Sequence, residues 1–400
     1  MAVVSTADRS DAGVSTGRLA LAVADANWFS TENLFAEVPP DRAATLMLRC
    51  IDYTNAWKRG EPPWAWGRPL AAAGLGRWGR DHVLPPGWMK QFPRLGMRPI
   101  ARSIRRWRSD HAPDGPLVLV MTYPHYLHLR DQVRPDRQVY YNVDDYAMYW
   151  PRQAEEVRRL ERRAVREADL TVCVSRQRAD ELRRAVPEAS ARILHLPHGT
   201  PTAALPPRPL DRPAPAPRAI AGLRRPILGY VGSLEDRVDW PLLARVAVAF
   251  PAATIVLVGR IGRGRGSSSA WRSDRARCLA MANVRRVDWQ PQAAIHGYYR
   301  AFDATLIPYR VDHPFNRVCS PTKIMDAMAT GRPIVSTALP ECLLYRHLFD
   351  VADSADAFVD AVGQILAAGS DDGRAGARHG WAAANTCRRV VERLLDSLPG

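Results

Sequence analysis

Lysine is almost missing from this 400-residue chain: Lys58, Lys90 and Lys323 are its only three, so arginine carries nearly all of the basic charge. Coding bias alone can trade lysine for arginine, which makes the total of +15 a weaker guide than where the charge sits. Cysteine is sparse too. Cys50, Cys173, Cys278, Cys319, Cys342 and Cys387 are never closer than 23 positions, a spacing that excludes metal-ligand and redox motifs and any disulfide framework. A reducing cytoplasm fits. Long apolar runs are absent, since Arg245 and Pro251 interrupt the longest candidate and a membrane-spanning helix needs roughly 20 such residues. The start of the chain is polar up to Arg18, and Leu19–Ala24 is closed by Asp25, too short for the core of a signal peptide. A cytoplasmic protein is expected, with any membrane contact peripheral, on the inner face of the plasma membrane.

Four hundred residues exceed what one hydrophobic core supports, so two domains are expected. With 46% hydrophobic and 24% charged residues, the composition excludes disordered and fibrous classes. Apolar runs of strand length alternate with helical patterns at Leu19–Ala24, Leu117–Met121, Val139–Val143, Leu170–Val174 and Ile193–Leu196. They resume at Ile227–Val231, Thr254–Val258, Thr305–Ile307 and Ile334–Ser336. Continuous apolar strands separated by helices predict parallel sheets covered on both faces. Between the two groups, Pro201–Pro226 is dense in proline and reads as a linker. The expected division is 1–200, a linker at 201–226, a second domain at 227–380, and a C-terminal helix at 381–400 that returns to the first domain or stays with the second.

The most informative stretch is Cys319 to Thr337, C-S-P-T-K-I-M-D-A-M-A-T-G-R-P-I-V-S-T. Ser320 suits an N-cap, Pro321 the first helical position, and Gly331 the left-handed position past the end, which predicts a helix over Pro321–Thr330. The free amides and positive dipole end at its start, with Lys323 in the first turn, suit a diphosphate. Asp326, three residues on, shares nearly the same face and could accept from ribose hydroxyls, while Ile324, Ala327 and Met328 would be buried. A well-capped, half-buried helix with an incidental lysine gives the same pattern.

The stretch from Ser320 resembles the donor-binding segment of GT-B glycosyltransferases, close to family 4 and to the glucuronosyltransferase-like group with Ser-Pro-x-Lys before the helix. The similarity extends through G-Y-V-G-S-L (Gly229–Leu234), N-V-R-R-V-D-W-Q-P (Asn283–Pro291) and F-D-A-T-L-I-P-Y-R (Phe302–Arg310). It also takes in A-D-L-T-V-C-V-S (Ala168–Ser175) and L-P-H-G-T (Leu196–Thr200). The resemblance implies an α/β GT-B fold, two Rossmann-like domains with parallel sheets facing a central cleft. It also implies transfer from a UDP- or GDP-sugar to a lipid-linked or polysaccharide acceptor in cell-envelope glycan synthesis. By the same resemblance Lys323 and the amides near Ser320 and Pro321 would hold the diphosphate, and Asp326 the ribose. Many family 4 enzymes carry two glutamates eight positions apart; here the first place is Val318 and the second Asp326. That departure puts the usual contact to the transferred sugar in question.

Gly232 and Ser233 end the strand Ile227–Val231, where a small residue lets the backbone approach a phosphate, and Arg237 is placed to reach the same group. An ordinary βα turn would also look like this. In the N-terminal half, Y-Y-N-V-D-D ends a strand with Asp144 and Asp145, at the edge where open α/β sheets place ligands. Either carboxylate could serve as the catalytic base, or one caps the next helix and the other is solvated. No cofactor is expected, and an adjacent Asp-Asp is not the spaced acidic pair of metal-dependent transferases, so no metal is expected either. His198 and His125, each near a strand end, could line a cleft or be structural.

From Arg77 to Arg108, eight arginines and Lys90 stand against Asp81 alone, about half of the net charge. Trp88, Phe92, Ile100, Ile104 and Trp107 lie among them. The mixture suits an anionic membrane surface, or else a solvated helix packing its apolar stripe on the first domain. Two other functions compete. A nicotinamide-dependent oxidoreductase would show G-x-G-x-x-G in a first βα turn, which is missing. A nucleic-acid-binding protein would explain the basic segment, but no known nucleic-acid module is present, and no nucleic-acid partner is expected.

Overall fold

A computed structural model describes residues 18–58, 69–70, 77–262, 264 and 270–399; positions 1–17 of the expected first domain fall outside these. The first sheet contains β1 (Leu19–Ala24), β2 (Ala43–Asp52), β3 (Pro69–Leu70), β4 (Arg77–Leu84), β5 (Leu117–Met121), β6 (Arg137–Asn142), β7 (Leu170–Cys173) and β8 (Ile193–His195). Its order is β3-β4-β2-β1-β5-β6-β7-β8, parallel except where β3 meets β4. The second contains β9 (Ile227–Val231), β10 (Thr254–Val258), β11 (Val284–Val287), β12 (Ala304–Ile307), β13 (Ile334–Thr337) and β14 (Asp350–Ala352), all parallel in the order β11-β10-β9-β12-β13-β14. The central strands β5, β9 and β10 are buried along their whole length, as sheets covered on both faces require. Each order reverses once, between β1 and β5 and between β9 and β12. Open α/β sheets bind ligands at the strand ends beside such reversals.

The basic segment departs from the simpler expectation. Arg77–Leu84 is a strand, held by pairing with β2 from Thr45 to Asp52 and by the Arg49–Asp81 ion pair at 2.8 Å. Polar residues mask it, because a strand near a sheet edge gains its stability from the neighbouring ladder rather than from its own apolar content. The helix Arg98–His111 buries Ile100, Ile104 and Trp107 in the first core, which also takes Trp88. These four side chains are therefore not available to a membrane, contrary to the first of the two readings. Its arginines Arg102, Arg105 and Arg106 remain exposed.

The proline-rich stretch lies against the second domain: Leu210 N–H donates to Thr330, Ala214 N–H to Arg300, and Ile220 enters the second core. The chain crosses back near Asn385. Helix Ala375–Ala384 stays with the second domain, where the buried Arg378 guanidinium bonds the Gly331 and Leu348 carbonyls and Asp372. Helix Cys387–Asp396 instead buries Val390, Val391, Leu394 and Leu395 in the first core. At the crossing Thr200 N–H donates to Asn385 and Cys387 N–H to Thr200, at 3.0 and 2.8 Å. A Cβ on Gly199 would stand 2.6 Å from Cys387 Cα, so this close passage requires glycine.

Candidate functional site

Two glycine turns form the floor of a cleft at the β9/β12 reversal. Gly232 and Gly259 have φ of 151° and 154°, and a Cβ on Gly259 would fall 1.9 Å from the Gly232 carbonyl oxygen. Both positions therefore demand glycine, and the bare backbone they leave can approach a ligand closely. The Tyr230 hydroxyl donates to the Ser233 carbonyl at 3.0 Å and steadies the turn.

The helix of the Cys319–Thr337 stretch runs over Lys323–Thr330, two residues later than expected, and Gly331 ends it at φ 73°. Thr322 occupies the cap position in αR geometry and makes no side-chain cap bond. Ser320 is therefore not the N-cap: the chain is still extended at Cys319, and the buried Ser320 Oγ has no hydrogen-bond partner. It lines the cleft as an unsatisfied hydroxyl, which is what a ligand oxygen would satisfy. Lys323 Nζ donates to the Tyr309 hydroxyl at 2.5 Å and lies 5.4 Å from the Tyr230 ring centre. Burial alone would push the Tyr309 phenol up, but the Lys323 and Arg237 charges outweigh it and hold the group below its usual range.

Arg237 is clamped. Its Nε donates to Asn316 Oδ1 at 2.8 Å, and its guanidinium lies 4.4 Å from the Phe315 ring centre and 5.0 Å from that of Tyr309. Asp326 is buried, and burial pushes its carboxyl up to about 7 although Lys323 opposes the shift. His296 Nδ1 stands 3.7 Å from it.

The first domain supplies the facing wall. Asn142, at the end of β6, bonds the Asp144 carbonyl, and Glu161 receives bonds from Asn142, Tyr140 and the buried Arg178 at 2.8 to 3.0 Å. This network fixes the turn that follows. The two aspartates then part. Asp145 is buried and caps a helical turn, accepting from Ala147 N–H at 3.0 Å. Asp144 is half-buried, lines the cleft, and accepts from the Tyr149 hydroxyl at 2.7 Å. Tyr149 meets Phe315 of the opposite domain edge-on at 5.5 Å. His198 also lines the cleft, and its burial lowers the imidazole to about 4, so it is neutral near pH 7. His125 is buried beside Trp150, with its imidazole likewise lowered to about 4 by burial first and the Lys90 charge second.

The cleft measures about 370 Å³ and gathers Asp144, Gly232, Ser233, Arg237, Ser320, Pro321, Lys323 and Asp326. Asp145 is not on its wall. Sequence reasoning passed over Tyr309, Phe315, Gly259, Glu235 and Trp28, which also line it or shape it. Val318 is buried and off the lining, so Asp144, Glu235 and Asp326 are the cleft's carboxylates. Among the described residues no group of three or more His, Cys, Asp or Glu is placed to hold a metal, and no helix is long and apolar enough to cross a membrane.

Residues 225–368, which contain both glycine turns, Arg237 and the Lys323 helix, match the family model for glycosyl transferases group 1. The matched residues lie in the second domain. TuaH of Bacillus subtilis strain 168, assigned by its name to teichuronic acid biosynthesis, is 22% identical over 166 residues. That alignment spans 40% of this chain and 40% of TuaH. Sucrose-phosphate synthase of Thermosynechococcus elongatus superposes with a TM-score of 0.68 at 15% identity, over 94% of this chain and 97% of that one. Anabaena HepE in complex with UDP-glucose does so with a TM-score of 0.61 at 12% identity, over 95% and 98%. The described residues thus have the GT-B fold, two parallel-sheet α/β domains, with the matched segment in the second.

Proposed function

We propose that this protein is a glycosyltransferase that takes a sugar from a nucleoside diphosphate sugar and passes it to an acceptor hydroxyl entering from the first domain. The observation that carries the reading is the convergence on one cleft of two glycine turns, Lys323 and Arg237, with the Asp144 carboxylate on the facing wall. The glycine turns would admit the diphosphate, Lys323 and Arg237 would balance its charge, and Asp326 would accept from the ribose hydroxyls. As the acceptor oxygen bonds to the anomeric carbon, the bond from that carbon to the diphosphate breaks. The acceptor proton passes to Asp144, and the released charge stays beside Lys323 and Arg237. HepE carries UDP-glucose, which favours a UDP-sugar over a GDP-sugar here. TuaH favours a cell-envelope glycan as acceptor.

Melting the protein with UDP, GDP and NAD tests the class of ligand. UDP at 100 times its dissociation constant should add about 2.7 kcal/mol to stability, a shift of several degrees, and NAD should add nothing. Stabilisation by NAD alone, or by no nucleoside diphosphate, would overturn the assignment. Mass detection of UDP released from a panel of UDP-sugars then identifies the sugar.

A peripheral position on an anionic membrane is the second part of the reading, in narrower form than the sequence suggested. Phe92 and Leu95 are 61% and 58% exposed, and Arg94, Arg98 and Arg102 around them are exposed as well. Each basic residue near such a surface contributes about 1 kcal/mol, screened by salt over a Debye length of roughly 10 Å at 0.1 M. The protein should sediment with phosphatidylserine vesicles at low salt and not with phosphatidylcholine vesicles, and replacing Phe92 and Leu95 by Ser should abolish binding. Wild-type protein left in the supernatant at low salt would remove the membrane from the proposal.

A further inference from the structure

A buried carboxylate joins the two domains outside the cleft lining. Glu341 lies in the short helix Pro340–Leu343 of the second domain, is 1% exposed, and does not line the cleft. Both of its oxygens face the first domain: Oε2 accepts from the Arg176 N–H at 2.9 Å, and Oε1 stands 3.3 Å from His195 Nε2. Arg176 is the first residue of the helix Arg176–Ala185, and amides at that end have no partner within their own helix. A carboxylate taken out of water has to be hydrogen-bonded. Here those bonds depend on how the domains sit, because a shift of one against the other strips Glu341 of both partners.

Hydrogen bonds lead from this contact to each wall of the cleft. In the first domain Arg178, two residues beyond Arg176, donates to Glu161 at 2.8 Å. Glu161 accepts from Asn142, which holds the Asp144 carbonyl at 3.0 Å. In the second domain Leu339 N–H donates to the Thr337 carbonyl at 2.8 Å, and Thr337 Oγ1 donates to the Tyr309 carbonyl at 2.7 Å. The Tyr309 hydroxyl in turn receives Lys323 Nζ. The helix Pro314–Val318, whose Phe315 and Asn316 hold Arg237, lies against both Arg176–Ala185 and Pro340–Leu343. Glu341 stands where the supports of Asp144 and of Lys323 meet.

We propose that Glu341 is a positioning residue for the transfer: through the Arg176 N–H it holds the first domain at the separation that sets Asp144 opposite Lys323 and Arg237. The inference rests on the glycosyl-transfer reading and adds to it a residue outside the cleft. A misplacement of about 1 Å between reacting groups can cost about a hundredfold in rate. Donor affinity rests on second-domain groups and is separate from that loss.

Arg176→Pro isolates the bond. Proline lacks the N–H, is favoured at the first helical position, and needs an extended residue before it. Ser175 is extended, with φ −110° and ψ 132°, and the Arg176 side chain is exposed. Turnover is measured as UDP release from the UDP-sugar that the release panel identifies, and UDP affinity by calorimetry, on the full chain. Arg176→Pro and Glu341→Leu should each lose about ten- to a hundredfold in turnover while UDP affinity stays as in wild type. The double variant should lose no more than either single one, since both remove the same bond. Glu341→Gln, which keeps an acceptor oxygen for the N–H, and Arg176→Ala, which keeps the N–H itself, should retain most of the turnover. Near-normal turnover in folded Arg176→Pro, losses that multiply in the double variant, or UDP affinity that falls together with turnover would each overturn the assignment. A wild-type protein that UDP fails to stabilise, or that releases UDP from no sugar of the panel, would instead count against the parent reading.

Discussion

Asp144→Asn lowers turnover by about 10²–10⁴-fold, the span expected when a general base is removed, while UDP affinity stays near that of wild type. The two effects separate because Asp144 belongs to the first domain, whereas Lys323, Arg237 and both glycine turns belong to the second. Asparagine keeps the Tyr149 hydrogen bond in reach and the turn in place, since the turn is held through the Asp144 carbonyl by Asn142 rather than through the carboxylate. Asp145→Ala provides the contrast. It removes the bond from Ala147 N–H and should cost about 1 kcal/mol of stability, the usual value of a cap, with turnover of the folded variant little changed. Steady-state rates and thermal melts of the two variants, measured side by side, decide the matter. Near-normal turnover in Asp144→Asn would move the base elsewhere or remove the need for one.

The difference between these neighbouring aspartates was not legible in Y-Y-N-V-D-D. Both follow the same strand, and which one turns inward depends on Asn142 and Glu161, and on Arg178 from a helix 33 positions beyond Asp145. By contrast, the sheets could be read directly where strands are buried on both faces, because Leu117–Met121 and Thr254–Val258 must then be continuously apolar. β4 fails that rule, since its residues from Arg77 to Arg80 are part-buried or exposed, and so does β11, with its exposed Arg285 and Arg286. Around the cleft, Lys323 and Asp326 stood out because helical spacing puts them on one face. Tyr309 and Phe315 did not. Their roles arise only when Arg237, more than seventy residues earlier, folds between the two rings. The same holds for Gly199, whose necessity comes from the returning Cys387 backbone.

Lys323→Ala should weaken UDP binding by about ten- to a hundredfold, the loss of a charge-assisted contact of roughly 1.5–3 kcal/mol. Its second consequence concerns Asp326. Burial pushes that carboxyl up to about 7 even with Lys323 opposing, so removing the lysine drives it higher still. A carboxyl titrating higher in the folded state than in the unfolded chain binds an extra proton on folding. Its cost to stability is absent well below pH 4, grows by about 1.4 kcal/mol per unit as pH rises, and levels off above the folded value. In wild type the growth ends near pH 7. In Lys323→Ala it continues to higher pH, so the variant's melting temperature should keep falling relative to wild type between pH 7 and 9. Adding Asp326→Asn should remove this extra slope without restoring UDP affinity, because an amide does not titrate and supplies no charge to the diphosphate. Calorimetry with UDP and melts across that pH range measure both effects on the same samples. Unchanged UDP affinity in folded Lys323→Ala would take the lysine out of the donor site, and a melting difference that stays flat from pH 7 to 9 would uncouple it from Asp326.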